Sequence, residues 1–168
     1  MGQFEKPSIY MTKLSLLSGG VIILLTLSSP AGEPVSPISK ETVRSAIELF
    51  RQDPLSPRGR AAGEMVRVFA EKDDSVVVQV NPKLASFLND VKITREDRAL
   101  LLDAFVIGNV DSQLLRNEKK EDPYGGVSEV IEIYRKMQAL DSALHIPDVE
   151  KFIDLEKRGE LKQFATSP

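Results

Sequence analysis

The chain has 168 residues, with 22 lysines and arginines against 25 aspartates and glutamates, a single histidine and no cysteine or tryptophan. The lack of cysteine excludes a disulfide-stapled scaffold and any zinc site built from thiolates. A formal charge of −3 supplies no global attraction to nucleic acid, which is therefore not expected as a partner.

The first element is an apolar run, Leu14 to Leu27, with Lys13 before it and Ser28-Ser29-Pro30-Ala31-Gly32 after it. It is shorter than the roughly 20 apolar residues of a comfortable membrane span. It fits the core of a secretory signal, which has a positive charge before it and small residues after it. Residues 1–31 are therefore expected to be a signal peptide, cut after Ala31. An uncleaved anchor over residues 14–32 is the alternative, because no charge falls between Lys13 and Glu33. Met11 offers a second start. With no cysteine and no Asn-x-Ser/Thr sequon, the expected destination is the bacterial periplasm or the outside of the cell.

Removing residues 1–31 takes away Lys6, Lys13 and Glu5 and leaves 137 residues with 20 basic and 24 acidic side chains, or −4. A chain of that length is one domain. Residues 32–38 (Gly-Glu-Pro-Val-Ser-Pro-Ile) form a proline-rich spacer, and residues 39–168 the domain proper.

Within it, Ser39 reads as a helix cap before Val43, Ala46, Ile47 and Phe50, which recur at helical spacing. Asp53-Pro54 ends that helix, and Ser56-Pro57 starts the next, with Ala61 or Ala62, Met65 and Phe69 on its apolar face. Ser75–Val80 (Ser-Val-Val-Val-Gln-Val) prefers an extended form because β-branched residues crowd a helix. A hairpin of residues 65–70 with 75–80 is the competing assignment. A short helix is expected over residues 83–88.

Thr94 caps the most apolar helix, in which Ala99–Ile107 is apolar on nearly every face, as in a helix surrounded by others. The run Asn117–Pro123 reads as a solvated loop. A helix from about Gly126 to Leu144 follows, then one opening at Pro147 and closed by Gly159, with Leu161 and Phe164 docking a tail. The expected fold is all-α: a compact bundle of five to six short helices with at most one extended segment, Ser75–Val80. Residues 43–51 resemble residues 127–135 in pattern, which keeps a helical-repeat arrangement as an alternative, although the offset of 84 matches no standard repeat.

No cofactor motif is present, and no residue qualifies as catalytic or metal-ligating. Asp141, His145 and Asp148 lie close in sequence, but the pattern lacks the second histidine of a metalloprotease helix and reads as a helix end. Arg58, Gly59 and Arg60 sit at a helix start, where free amides attract anions, and Arg67 follows on the face of Arg60. These four residues form a candidate anion or partner site. Asp103 stands among apolar helical neighbours, so it is a buried polar residue or lies on a narrow wet stripe with Glu96. If buried, it calls for a pairing arginine. Gly108-Asn109 and Tyr124-Gly125-Gly126 read as positions of close packing or turning.

The expected role is contact with another protein or with a second copy. The extended segment, which has no evident partner in the chain, is the natural place for it. The alternatives are an enzyme of unfamiliar type using carboxylates or His145, and a membrane-anchored assembly component.

Overall fold

The computed structural model describes residues 38–167. The leader, the anchor alternative and the spacer up to residue 37 lie outside the described residues.

Among the described residues six α-helices follow one another: α1 (Lys40–Gln52), α2 (Pro57–Lys72), α3 (Arg95–Arg116), α4 (Pro123–Leu140), α5 (Pro147–Lys157) and α6 (Leu161–Thr166), with a turn of 3-10 helix at Ser86–Asn89. Among the described residues there is no strand, so the hairpin assignment falls. Ser39, Ser56 and Thr94 cap α1, α2 and α3 by accepting the amides of Thr42, Gly59 and Asp97. Each satisfies one of the donors that a helix start leaves free.

Several boundaries differ from expectation: α4 ends at Leu140 rather than near Leu144, and the short helix expected over residues 83–88 is the 3-10 turn at Ser86–Asn89. The 22-residue α3 is long rather than short, and it ends at Asn117 in the left-handed region with φ 50°. Helix α4 begins at Pro123, so Tyr124, Gly125 and Gly126 lie inside its first turn rather than before it. The reason is local: Asp122 accepts the Gly125 amide at 3.0 Å, and Pro123 needs no donor at the first position.

Helix α3 lies at the centre. It packs on α1, α2 and α4, while α4 also meets α5 and α6, and the 3-10 turn packs on α5. The most extensive contacts join helices consecutive in the chain, α1 with α2, α2 with α3 and α3 with α4. One contiguous core collects Phe50, Phe69, Phe87, Phe105, Tyr134 and Phe152, all nearly or fully buried. Helices α3 and α4 approach closely where their glycines meet. A Cβ on Gly108 would lie 2.1 Å from the Gly125 carbonyl oxygen.

Residues 76–80, which form neither helix nor strand, follow the turn after α2 and lie over this scaffold. Val76 is buried, Val78 is partly buried and Val80 is 46 % exposed. Among the described residues, no helix is long and apolar enough to cross a membrane.

Candidate functional site

The extended segment is held by side chains acting as a substitute strand. Gln113 on α3 accepts the Val77 amide at 3.0 Å and donates to the Val77 carbonyl at 2.8 Å. Glu121 accepts the Gln79 amide at 3.2 Å. Gln113 is only 2 % exposed and is oriented by Asn109, whose Oδ1 accepts from Gln113 Nε2 at 3.1 Å and from the Asp122 amide at 2.9 Å. Both ends of the segment are pinned by turns that a side-chain carbonyl closes. Asp73 accepts the Ser75 amide and Asn81 the Lys83 amide, each at 2.8 Å.

Backbone polar groups alternate in direction along an extended chain. Val77 and Gln79 face Gln113 and Glu121; of the intervening valines, Val76 is 5 % exposed and lies in the core, Val78 is partly buried against it and Val80 reaches the surface. Among the described residues no hydrogen bond reaches the backbone of those three valines. Beyond Gln79 the surface opens into a groove of 620 Å³, bounded by Val80, Pro82, Leu84, Lys120 and Ser167.

The arginines singled out in the sequence separate. Arg60 and Arg67 line one groove of 400 Å³ between α2 and α3, together with Glu64, Glu96 and Asp103. Arg58 lines another, of 450 Å³, between α1 and α2. Gly59 is buried and abuts the chain before it, since a Cβ there would sit 1.9 Å from the Asp53 carbonyl oxygen. Its amide is taken by Ser56 at 3.0 Å. Arg60 donates to the carbonyls of Leu55 and Glu96, at 3.5 and 3.2 Å.

Asp103 is 6 % exposed and receives Arg67 Nε at 2.9 Å, so the wet-stripe assignment gives way to a buried pair. Burial pushes its pKa up to about 6, against the downward pull of Arg67, with Glu64 and Glu71 adding to the rise. Arg67 also reaches Glu71 at 3.2 Å.

Two further networks bring in Arg51, Asp111, Glu129, Tyr134 and Glu150, which the sequence alone did not single out as site residues. Arg51 of α1 forks onto Glu129 of α4 at 2.7 Å and reaches Asp111 of α3 at 2.8 Å. The hydrogen bond to Glu129 holds this guanidinium still more firmly protonated than usual. His145 meets Glu150 at 2.5 Å, rather than Asp141 or Asp148. The same Glu150 oxygen accepts from the buried Tyr134 hydroxyl at 2.8 Å. Among the described residues, no three acidic or histidine side chains converge as metal ligands would.

Gln113 and Asn109 did carry a signal in the sequence. They are amides four residues apart within an apolar helix, where a polar side chain needs a partner. What the sequence could not supply was the partner, a backbone 36 residues away.

The class this geometry defines is an all-α bundle with an extended arm clamped along α3. No protein-family model, curated protein or solved structure gives a significant match to the chain.

Proposed function

We propose that this protein is an exported, helical interaction module that engages another protein chain along the exposed end of the arm, Val78–Val80. The observation that carries the reading is the clamped arm. Gln113 takes both backbone groups of Val77 and Glu121 the amide of Gln79, and among the described residues no hydrogen bond reaches the backbone of Val78 or of the exposed Val80. An edge of this kind is a ready template for strand addition, in which main-chain hydrogen bonds supply affinity. Turns at Asp73 and Asn81 fix the arm beforehand, which lowers the entropy lost on binding.

The test is a photoreactive benzoylphenylalanine placed at Val80 in the expressed full chain, with the same residue at Leu140, 78 % exposed, as the comparison. Irradiation is expected to give a discrete adduct from position 80 alone. Equal trapping at both positions, or none, would overturn the reading. Export is tested separately, by amino-terminal sequencing of the envelope fraction. Gly32 as the first residue supports a cleaved signal, and a chain retained in the membrane with residues 14–32 intact supports the anchored alternative.

A second reading, an acid–base enzyme, draws on one observation. Asp103 is a carboxyl group with a raised pKa beside two arginines in the α2–α3 groove, and perturbed acids cluster at functional sites. The buried pair with Arg67 gives the same carboxylate a structural task, so the interaction reading is preferred.

A further inference from the structure

We infer that the groove beside Val80 takes an acidic peptide, which seats one apolar side chain on the groove floor and sets its carboxylates against Lys83, Lys120 and Lys162. The inference rests on the interaction reading above and specifies the chemistry of its partner.

The groove of 620 Å³ lies between residues 79–84, the chain leading into α4 and the end of α6. Val80, Pro82, Leu84, Pro123 and Ala165 give it an apolar lining. Leu84 and Ala165 are buried members of the core, so they make a firm floor, while Val80 is 46 % exposed. A half-exposed valine beside such a floor is apolar surface that a partner side chain can remove from water.

Charge selects the partner. Arg51, Arg67, Arg116, Arg135 and Arg158 each pair with a carboxylate. The lysines around this groove do not. Among the described residues Lys83, Lys120, Lys151 and Lys162 form no ion pair. Lys120 lines the groove. Lys83 Nζ donates to the carbonyl and the hydroxyl of Ser167, another lining residue, at 2.9 and 3.0 Å. Lys162 Nζ lies 6.0 Å from the ring centre of Tyr124, the neighbour of the lining Pro123. Glu121 is the only carboxylate among these lining residues, and its Oε1 already accepts the Gln79 amide.

The ammonium groups are also crowded. Lys83 and Lys151 hold Nζ 4.7 and 5.2 Å from the centre of the same Phe164 ring. They therefore lie within about 10 Å of each other, one screening length at about 0.1 M salt. The ring attracts both but neutralises neither. In a chain with a formal charge of −3, this corner inverts the sign locally. A bound carboxylate relieves the repulsion, which a neutral or basic segment cannot do. Complementary patches steer encounter and reject wrong partners. Exposed ion pairs contribute little each, so charge sets the choice of partner and the apolar contact supplies the affinity. A concave site with an apolar floor suits a peptide side chain, whereas a lipid surface calls for an apolar face that projects.

The test uses the full chain and a fluorescein-labelled peptide, Glu-Asp-Leu-Asp-Glu, followed by anisotropy. Saturable binding is expected, weakened severalfold by added salt and about tenfold when serine replaces the peptide's leucine. Lys83→Glu and Lys120→Glu should each weaken it severalfold, and the double variant further, with the helical spectrum unchanged. Lys120 makes no side-chain hydrogen bond among the described residues, so its variant reads the charge without disturbing α6. Lys92→Glu, exposed on the loop before α3, should change nothing. No saturable binding would overturn the inference, as would equal binding of the serine peptide or of Lys-Lys-Leu-Lys-Lys, or full affinity in the double variant. Cosedimentation with phosphatidylglycerol vesicles while the peptide stays unbound would overturn it in favour of a lipid contact. A crosslinked adduct at position 80 that survives the double reversal, with the peptide silent, would sink the acidic partner and leave the interaction reading standing. Silence in both experiments would remove both.

Discussion

Tyr134 shows how much a single polar atom can organise. Its ring is fully buried in the core, yet its hydroxyl accepts from the Ile146 amide at 3.0 Å and from Gln138 at 2.9 Å, and donates to Glu150 at 2.8 Å. Desolvation, assisted by Glu150, pushes its pKa up to about 12, so the phenol stays a donor across the working range. The hydroxyl thereby fixes the turn between α4 and α5. Tyr134→Phe keeps the ring and its packing but strands the Ile146 amide, which is buried. The expected loss is about 1–3 kcal/mol, the cost of leaving such a group unsatisfied. Urea unfolding with an unchanged slope checks it. A midpoint equal to that of the parent chain would show that the amide finds another partner.

At the scale of elements, Gln113 is what keeps the arm an arm. Replacing Gln113 by Met retains length and apolar packing while removing both hydrogen bonds to Val77. Helix content should be unchanged. The Val77 amide should exchange with solvent much faster, and the stability loss should again be about 1–3 kcal/mol. Unaltered exchange at Val77 would mean that the valine side chains alone hold the segment. The α3–α4 crossing makes a complementary case. Gly108→Ala drives a methyl toward the Gly125 carbonyl and should cost about 1–3 kcal/mol by overpacking, read as a lowered melting temperature.

These elements also mark what the sequence could convey. Helical periodicity at Val43, Ala46, Ile47 and Phe50, and capping by Ser39, Ser56 and Thr94, are local patterns and gave the all-α bundle. The Asp122-Pro123 start was local too, but the glycines at 125 and 126 masked it, because glycine is a poor helix interior unless another backbone comes close. The clamp at Gln113, the fork of Arg51 and the pairing of Arg67 with Asp103 join residues 36 to 78 apart. Periodicity can flag a polar residue on an apolar helix, but not name what it meets.

For the molecule as a whole, two carboxylates set opposite pH slopes. Asp122 is desolvated, which acts upward, yet hydrogen bonds from Ser112, the Gly125 amide and Arg116 hold it below its ordinary pKa. Its contribution to stability is present above the ordinary value and is lost as pH falls through the depressed one. Asp103 runs the other way. Burial raises its folded pKa to about 6 from 3.8, so the folded state binds the proton more tightly than the unfolded chain does. The stability this confers is complete below the unfolded value, declines as pH rises, and is gone once pH passes about 6. The difference amounts to about 3 kcal/mol at 1.36 kcal/mol per unit, because the side chain is only 8 % exposed and little screened. Asp103→Asn removes this term. The two chains should unfold alike in acid, where Asp103 is neutral like asparagine, and the parent chain should lose stability between about pH 4 and pH 7 while the variant does not, so that the curves separate toward neutrality. Arg67 keeps Glu71 at 3.2 Å in the variant, which limits the cost of losing the pair. Thermal unfolding of both chains across that window decides the matter. Parallel curves would show that Asp103 has the same proton affinity folded and unfolded, and that Arg67 compensates in full for its burial.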